Sequence, residues 1–215
     1  MTTDPPRLDT GLRAHGDRGL GQRACSQGVD RGRVLRQRPG EIEGSLLVDL
    51  DRIEDDRGFF ARIWDEAVFA EAGIPIVNVQ TNISYSRRRG TIRGLHWQIE
   101  PHAETKLLRC TRGSVFDVAV DLRPASATYG RWQGVVVSSE ERNLVLVPAG
   151  CAHGYQALED DAEVSYQVSA PYVPGVERGI RWNDPGIGIE WPIGDGVIVS
   201  AKDAAWPDAR LEVPR

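Results

Sequence analysis

The chain has 215 residues, and its 26 basic and 31 acidic residues give a formal net charge of −5 at pH 7. This length suits one domain, or one domain with an appendage, and the acidic balance argues against a partner that is duplex nucleic acid. No apolar run approaches the length of about 18 residues that a membrane-spanning helix needs, and the N-terminus lacks the apolar core of a signal peptide. The 3 cysteines are too few and too scattered for a disulfide framework or a zinc cluster, which favours a reducing cytoplasm.

Residues 1–40 differ in composition from the rest of the chain. They contain eight arginines against four acidic residues, seven glycines and no aromatic residue. Because this segment has little apolar surface to offset the entropy of ordering it, we predict a disordered basic extension over residues 1–40. An arm that binds anions and a translation start further along the chain are the alternatives. Residues 41–215 form the predicted folded domain.

From Gly44 onwards, short runs of β-branched and apolar residues alternate with Gly, Pro, Asn and Asp. This spacing is typical of an all-β sandwich or barrel. Examples of the predicted strands are Ser45–Leu50, Val77–Ser84, Thr105–Thr111, Ser114–Leu122, Gln133–Ser138, Asn143–Val147 and Glu163–Ser169. One short helix is predicted after Trp64, because Asp65 can cap it and Gly73 can end it. The lack of long helices between the strands argues against a doubly wound α/β fold.

Two of the predicted strands carry a polar side chain on an apolar face. In the strand that ends at Ser169, Tyr166 shares its face with Val164 and Val168, so we expect an inward-facing phenol. In the strand that begins at Ser114, Asp117 shares its face with Val115, Ala119 and Asp121, so its carboxylate either rims a pocket or faces water. These patterns fit a jelly-roll barrel with a ligand in its mouth.

The segment Arg93–Gln98, with the sequence RGLHWQ, is dense in functional side chains. One interpretation is an ordinary strand with a hydrogen-bonded core histidine, and the other is part of a site. Arg93 and His96 are three positions apart, so a regular pleat would direct them to opposite faces. A β-bulge at Gly94 would bring both side chains to one pocket.

The segment Pro148–His153 matches half of the metal-binding cupin signature, P-x-G-x-x-H. The other half requires two histidines one residue apart. Here that pair is His96 and Gln98, so one ligand is missing and a metal site is disfavoured. Nucleophilic catalysis also lacks support, because the sequence has no G-x-S-x-G elbow and no recognisable catalytic cysteine motif.

Lysine is rare in this chain: of the 26 basic residues, only Lys106 and Lys202 are lysines. Lysine and arginine are not interchangeable, because an ammonium group is a compact charge that can contact a single oxygen. Chance placement on the surface is one explanation for these two lysines, and a role in a site is the other. Lys106 begins a predicted strand, and Lys202 directly precedes Asp203.

In their order and content, these motifs resemble the dTDP-4-dehydrorhamnose 3,5-epimerase family of cupin-like nucleotide-sugar epimerases. The resemblance runs from about Leu46 to Pro207 and leaves out the first 40 residues. It includes the segments Asp56–Phe60, Gln80–Asn82, Arg93–Gln98, Lys106–Leu107, Asp117–Arg123, Pro148–Gly154, Trp182–Pro185, Ile189–Pro192 and Ser200–Asp203. It implies a jelly-roll barrel, a homodimer, a nucleoside-diphosphate 4-keto-6-deoxyhexose as substrate, and no metal or organic cofactor.

The resemblance also implies an acid–base mechanism. The 4-keto group acidifies the hydrogens on C3 and C5, so a base on one face and an acid on the other can invert either centre through an enolate. By resemblance, His96 is the base, Asp203 its partner, Tyr166 the acid and Lys106 the group that stabilises the enolate. The implied substrate contacts are Arg57, Gln80, Asn82, Arg93, His153, Glu177 and Lys202, with Asp117 and Tyr172 as further pocket residues.

Arg62 departs from the family pattern, which commonly has a glutamate in contact with the nucleotide at this position. The charge reversal makes another nucleotide, such as a cytidine diphosphate sugar, an alternative to a thymidine nucleotide. Epimerisation at C3 alone or at C5 alone is also open, because the same acid–base set serves all these outcomes. A non-catalytic sugar-binding barrel or a metal cupin is the alternative from another class. Asp117 is expected to hold either Lys106 or His153 in place.

Overall fold

The computed structural model describes residues 35–71, 73–74 and 77–211. The first strands in chain order are β1 (Leu35–Pro39), β2 (Leu46–Leu50), β3 (Ile53–Asp55), β4 (Gly58–Phe60), β5 (Gln80–Ser86), β6 (Thr91–Gln98) and β7 (Lys106–Arg112). The later strands are β8 (Ser114–Asp121), β9 (Trp132–Ser138), β10 (Leu144–Val147), β11 (Cys151–Ala157), β12 (Ala162–Val168), β13 (Glu177–Gly179) and β14 (Ile198–Val199). The helices are α1 (Glu66–Glu71) and α2 (Ala201–Ala204).

Two six-stranded sheets form the body of the described domain. The first has the order β1-β2-β10-β7-β12-β5, and the second has the order β13-β6-β11-β8-β9, with β14 paired in parallel to β6. Strands β3 and β4 form a separate hairpin. Each of the seven predicted strands coincides with an observed strand, with end points that differ by three residues at most. The predicted all-β class is therefore confirmed.

The main core lies between the two sheets. Leu108 and Val164 of the first sheet and Val115 and Val137 of the second belong to one buried cluster, because alternation directs one side of each strand inward. Burial of each such side chain contributes about 1.5–3 kcal/mol. Tyr166 packs against this cluster, which confirms its predicted inward position.

Helix α1 covers the outer face of the first sheet, where Phe69 is buried against Val48. As predicted, Asp65 caps the helix by accepting a hydrogen bond from the backbone N–H of Val68 at 3.2 Å. Gly73 follows the helix with a φ of 75°, which suits a residue that ends a helix. Among the described residues, neither helix has the length and apolar character needed to cross a membrane.

The segment that follows β13 covers the outer face of the second sheet. Ile180 and Ile187 pack against Leu95 and Val118 in a second apolar layer. This packing leads the chain back to β6, so that β14 and α2 both lie beside that strand. The position of α2 is therefore set by apolar contacts that precede it in the chain.

Strand β1 lies inside the segment that the sequence predicts to be disordered. It pairs with β2 in antiparallel fashion, with Leu35 opposite Leu50 and Pro39 opposite Leu46. The predicted boundary at residue 40 is thus wrong for residues 35–39, because backbone pairing to a neighbouring strand orders a segment that has few apolar side chains of its own. Residues 1–34 lie outside the described residues, and the prediction made for them stays a prediction.

Candidate active site

A cavity of about 530 Å³ opens between the two sheets. This volume falls in the range of sites for small ligands. Of the thirteen residues predicted to form the site, ten line the cavity: Gln80, Asn82, Arg93, His96, Lys106, His153, Tyr166, Tyr172, Glu177 and Asp203. Side chains from distant parts of the chain therefore meet in one place.

A bulge in β6 brings Arg93 and His96 to the same cavity. His96 lies opposite His153 of β11, but the register then shifts so that Arg93 lies opposite Tyr155. Gly94, at the irregularity, has a φ of 123°, and a Cβ atom there would lie 2.5 Å from the backbone of β11. Only glycine fits this close approach, and the predicted bulge is confirmed.

A carboxylate from a remote segment holds His96. The Nε2 atom of His96 lies 2.6 Å from Oδ1 of Asp203, which sits in α2 and also accepts the backbone N–H of Gly94 at 3.4 Å. Ser200 caps α2 by accepting the backbone N–H of Asp203 at 3.0 Å. Burial alone would raise the pKa of Asp203, but the hydrogen bond and charge interaction with His96 hold that pKa below its usual value.

His153 forms a second pair with a carboxylate, and this pair is more deeply buried. Its Nε2 atom lies 2.7 Å from Oδ2 of Asp117, which belongs to the adjacent strand β8. Asp117 is behind His153 and is not one of the residues that line the cavity. Of the two contacts expected for Asp117, the structure has the one with His153, and a different carboxylate holds Lys106.

Glu104 is the partner of Lys106. Its Oε1 atom lies 3.2 Å from Nζ of Lys106, which also donates a hydrogen bond to the backbone oxygen of His96 at 3.3 Å. The side chains of both members of this pair are about nine-tenths buried. Sequence reasoning missed Glu104, although its position two residues before Lys106 places both on one side of an extended chain. That spacing is the signal by which it could have been found.

Gln98 stands where the metal-binding cupin signature has a second histidine. Its amide nitrogen donates to Glu104 at 2.8 Å and to the backbone oxygen of Pro171 at 3.1 Å, and its amide oxygen accepts the backbone N–H of Val173 at 2.7 Å. Gln98 thus fixes the segment that carries Tyr172. In the part of the chain that the structure describes, no group of three or more His, Cys, Asp or Glu residues could hold a metal ion.

Tyr166 faces the cavity from the sheet opposite His96. Burial raises the pKa of its phenol, and the nearby Tyr155 and Glu104 raise it further. The phenol therefore stays protonated at neutral pH, as a general acid must. Asn82 lies directly opposite Tyr166 on the neighbouring strand β5.

A further ion pair joins Glu177 of the cavity lining to Lys202, which is not one of the lining residues. Lys202 contacts Glu177, and this hydrogen bond raises the pKa of the lysine. Gln80 accepts the backbone N–H of Tyr172 at 2.8 Å, which links β5 to the segment after β12. The charged and polar rim contrasts with the apolar core below it.

Arg57 is a predicted site residue that lies outside the cavity of its own chain. It follows β3 in the hairpin, is largely exposed and pairs with Asp55, and it is not among the residues that line this cavity. Arg62 is also absent from that lining and pairs with Asp65 at 2.8 Å. The charge reversal at Arg62 therefore has no direct contact with the cavity of its own chain.

Comparison with known proteins decides the family. A family model described as dTDP-4-dehydrorhamnose 3,5-epimerase matches residues 39–210. The chain belongs to this family. A dTDP-4-dehydrorhamnose 3,5-epimerase from Sinorhizobium fredii is 46% identical over 161 residues, which cover 75% of this chain and 83% of the relative. A dTDP-4-dehydrorhamnose 3-epimerase from Streptomyces niveus is 40% identical over 165 residues, which cover 76% of this chain and 79% of the relative.

Solved structures agree with this assignment. The crystal structure of a 3,5-epimerase from Legionella pneumophila in complex with dTDP-4-keto-L-rhamnose has a TM-score of 0.76 and 36% sequence identity, and the match covers 81% of this chain and 92% of that one. The predicted jelly-roll barrel and the predicted epimerase activity are confirmed by these matches. The chain is an enzyme, and a non-catalytic barrel is no longer an alternative.

Proposed function

We propose that the chain inverts both C3 and C5 of dTDP-4-dehydro-6-deoxyglucose to give dTDP-4-dehydrorhamnose, with His96 as base and Tyr166 as acid. One observation carries these roles: His96 and Tyr166 enter a single cavity from opposing sheets. Inversion requires a base on one face of a carbon and an acid on the other, which is the arrangement that two opposing sheets provide. The family membership supports the substrate class.

His96 accepts the proton through Nδ1, because Asp203 already occupies Nε2. The electron pair of the broken C–H bond moves into the sugar to form an enolate. The negative charge of this enolate develops on the 4-oxygen. Asp203 stabilises the imidazolium that forms and keeps the ring in the tautomer with the proton on Nε2. The carboxylate of Asp203 is therefore already in place to stabilise the positive charge that His96 gains when it removes the proton from carbon.

Lys106 stabilises the enolate, and Tyr166 ends the step. The ammonium group of Lys106 is held at the cavity by Glu104 and supplies the positive charge that a developing oxyanion needs. Tyr166 then donates its phenolic proton to the opposite face of the same carbon while the enolate electron pair returns to form the new C–H bond. The raised pKa of Tyr166 keeps that proton in place until the carbanion forms.

The remaining predicted site residues bind the nucleotide sugar. The planar guanidinium of Arg93 suits the diphosphate, and its orientation is fixed by hydrogen bonds to Ser86 at 3.2 Å and to the backbone oxygen of Tyr85 at 2.7 Å. The other proposed contacts are Gln80, Asn82, His153, Tyr172, Glu177 and Lys202. Asp117 acts by holding His153, and Arg57 stays a candidate that the cavity of its own chain does not include.

Solvent deuterium incorporation at C3 and C5 of dTDP-4-keto-6-deoxyglucose tests the function. We expect uptake at both carbons, and the absence of exchange with every nucleotide form of this sugar would contradict the proposal. Tyr166→Phe separates the two roles, because the enolate still forms without the acid. This variant should retain part of the exchange while losing most of the epimerised product. Near-native exchange in both Tyr166→Phe and His96→Ala would refute the assignment of base and acid.

Epimerisation at C3 alone is the second candidate. The Streptomyces niveus relative, 40% identical to this chain, is a 3-epimerase. Relatives of similar sequence identity therefore include both 3,5-epimerases and a 3-epimerase. The carbon that takes up deuterium decides between them by NMR. Uptake confined to C3 would favour the second candidate, whereas uptake at both carbons would reject it.

We propose a cytoplasmic homodimer that works without metal or organic cofactor and has no nucleic-acid or membrane partner. Strand β5 is an edge of the first sheet, and it carries the exposed apolar residue Ile83 with 69% of its surface accessible, beside the partly exposed Tyr85. An open edge with apolar side chains is a surface that proteins tend to cover. Light scattering should give twice the mass of one chain; a monomer at micromolar concentration would contradict the dimer.

A further inference from the structure

Trp206 packs against the imidazole of the proposed base. The ring centroids of Trp206 and His96 lie 6.1 Å apart, and the ring planes meet at 62° in an edge contact. Aromatic rings at separations of about 4.5–7 Å favour this edge-to-face arrangement. Trp206 follows α2 directly, so one short segment brings both the indole and the carboxylate of Asp203 to His96.

Gly179 makes the room for this indole. It lies directly opposite His96 in the β13–β6 pairing, and a Cβ atom added to it would overlap the Cε2 and Cδ2 atoms of Trp206. Unlike Gly94, Gly179 does not have a left-handed φ, so its backbone conformation does not itself require glycine. The indole, and not the backbone, therefore requires glycine at this position.

The segment that carries Trp206 is anchored on both sides. Before it, Ser200 caps α2, and after it the backbone oxygen of Pro207 accepts the N–H of Arg181 at 2.9 Å. The indole N–H is shielded from solvent and has no hydrogen-bond partner among the described residues. Trp206 thus contributes by its shape and packing, because its one polar group makes no bond there.

An ion pair beside Trp206 also lies near Nδ1, the second ring nitrogen of His96. The ammonium of Lys202 lies 5.9 Å from the centroid of the Trp206 ring and pairs with Glu177. Oε1 of Glu177 is 3.9 Å from Nδ1 of His96. The imidazole is thus surrounded by Asp203 at one nitrogen, Glu177 near the other and the indole against the ring.

We propose that Trp206 is a positioning residue: seated on Gly179, its indole fixes the imidazole of His96 so that Nε2 stays on Asp203 and Nδ1 faces the cavity. This inference rests on the proposed function, in which His96 is the base. One hydrogen bond to Asp203 leaves the ring free to tilt about that contact, and a second contact on the ring removes this freedom. A small displacement of a catalytic group is enough to slow a reaction strongly.

Substitution of Trp206 tests the inference by kinetics. Trp206→Ala should lower the rate of deuterium uptake at saturating substrate by about tenfold or more, while the dissociation constant for dTDP stays within about twofold. Trp206→Phe keeps an aromatic edge and should restore most of the rate. Trp191→Ala is the matched control, because Trp191 makes a similar edge contact with Phe116, at 6.2 Å and 75°, outside the cavity lining. Its rate per folded molecule should equal that of the wild type.

Gly179→Ala tests the same contact from the other side. The added methyl group should displace the indole and slow exchange, but in the Trp206→Ala background it should fill vacated space and have little further effect. Neighbouring residues that act through one contact show such non-additivity. Equal effects of Gly179→Ala in both backgrounds, or a Trp206→Ala variant with a raised KM and an unchanged kcat, would overturn the inference. A raised KM with an unchanged kcat would instead mean that the indole supports substrate binding through its contact with Lys202.

An NMR measurement separates this inference from the proposed function, because it requires no turnover. The Cε1–H resonance of His96, identified by its loss in His96→Ala, should shift and broaden in Trp206→Ala and stay unchanged in Trp191→Ala. An unchanged resonance in Trp206→Ala would overturn the positioning role even if the wild type exchanges deuterium. An altered resonance with no exchange by the wild type would support the positioning and contradict only the proposed function.

Discussion

His96 and His153 face each other on neighbouring strands, and each has a carboxylate on Nε2, at 2.6 and 2.7 Å respectively. The two pairs differ in how they are built. Asp117 reaches His153 from the adjacent strand, whereas Asp203 reaches His96 from a helix 107 residues further along the chain. The His96 side chain is 26% exposed, and that of His153 is 9% exposed.

From this difference we expect the two histidine–carboxylate pairs to have different roles. The His153–Asp117 pair is more deeply buried and comes from a single sheet, which suits it to hold a hydrogen-bonding group in place at the cavity wall. In the His96–Asp203 pair the imidazole is more accessible, so it can contact a substrate and exchange a proton with it. Its carboxylate is supplied by a helix and not by a neighbouring strand. Exposure of the imidazole, and not the presence of a carboxylate, distinguishes the proposed base.

The largest expected effect comes from removal of each imidazole in turn. His96→Ala should abolish deuterium exchange, a loss of at least about 10²–10⁴-fold for a general base, because no enolate can form. His153→Ala should retain measurable exchange with weaker substrate binding. Solvent exchange followed by mass spectrometry checks both variants. Loss of exchange in His153→Ala that equals the loss in His96→Ala would remove the functional distinction between the pairs.

Gly94 connects the two pairs, because it donates its N–H to Asp203 and touches the backbone of β11 beside His153. Gly94→Ala should lower the free energy of unfolding by about 2–4 kcal/mol, through overpacking in addition to a strained φ. Gly188→Ala is the matched control: its φ is also positive, at 69°, but a Cβ atom there meets nothing within 4 Å.

Urea unfolding measures the free energy of unfolding of both variants. The control should lose only about 1–2 kcal/mol from the backbone strain. If the two glycine variants were equally stable, the close approach of β6 and β11 would not be what requires glycine at position 94.

Removal of one charge from each pair gives an intermediate effect. Asp203→Asn should lower kcat by about 10–100-fold with little change in KM, because the imidazolium loses its stabilising charge. Asp117→Asn should mainly lower the free energy of unfolding, by about 1–3 kcal/mol, because it disturbs a buried hydrogen bond. Steady-state kinetics and chemical unfolding of both variants check these outcomes. A larger loss of kcat in Asp117→Asn would reverse the roles of the two pairs.

The smallest expected effect is a pH dependence of stability. The folded-state pKa of Asp203 lies below its unfolded value of 3.8, so its ionised form stabilises the fold above that pH. This stabilisation is lost as the pH falls below 3.8 and through the lower folded-state pKa. The stability difference between wild type and Asp203→Asn should therefore shrink below about pH 4.

Trp191→Ala is the control for the pH series, because it removes no titratable group. Its cost in unfolding free energy should be the same across the pH range. Thermal unfolding between pH 3 and pH 7 measures both differences. A difference for Asp203→Asn that grew as the pH fell would contradict the depressed pKa.

Much of the barrel could be predicted from the sequence, because strand alternation depends on neighbours two residues apart. The same local rule predicted the inward position of Tyr166 and the bulge at Gly94. Family resemblance added the set of residues that meet in the cavity. Their roles in the reaction stay predictions until variants are measured.

Features that depend on which strands become neighbours could not be predicted. The partner of Lys106 is Glu104, and not Asp117, because the pairing of β11 with β8 directs Asp117 to His153. The role of Gly179 is invisible in the sequence, because it depends on a tryptophan that returns to β13 from 27 residues away. Strand β1 was missed because its order comes from pairing with β2.

The location of Asp203 has a consequence for synthesis of the protein. All fourteen strands of the described region precede α2 in the chain, so Asp203 is the last of the proposed site residues to be synthesised. A translation product that stops at residue 200 would keep most of the cavity lining but would lack the partner of the imidazole. A late nonsense mutation would therefore remove the group that orients the proposed base while every strand of both sheets is still encoded.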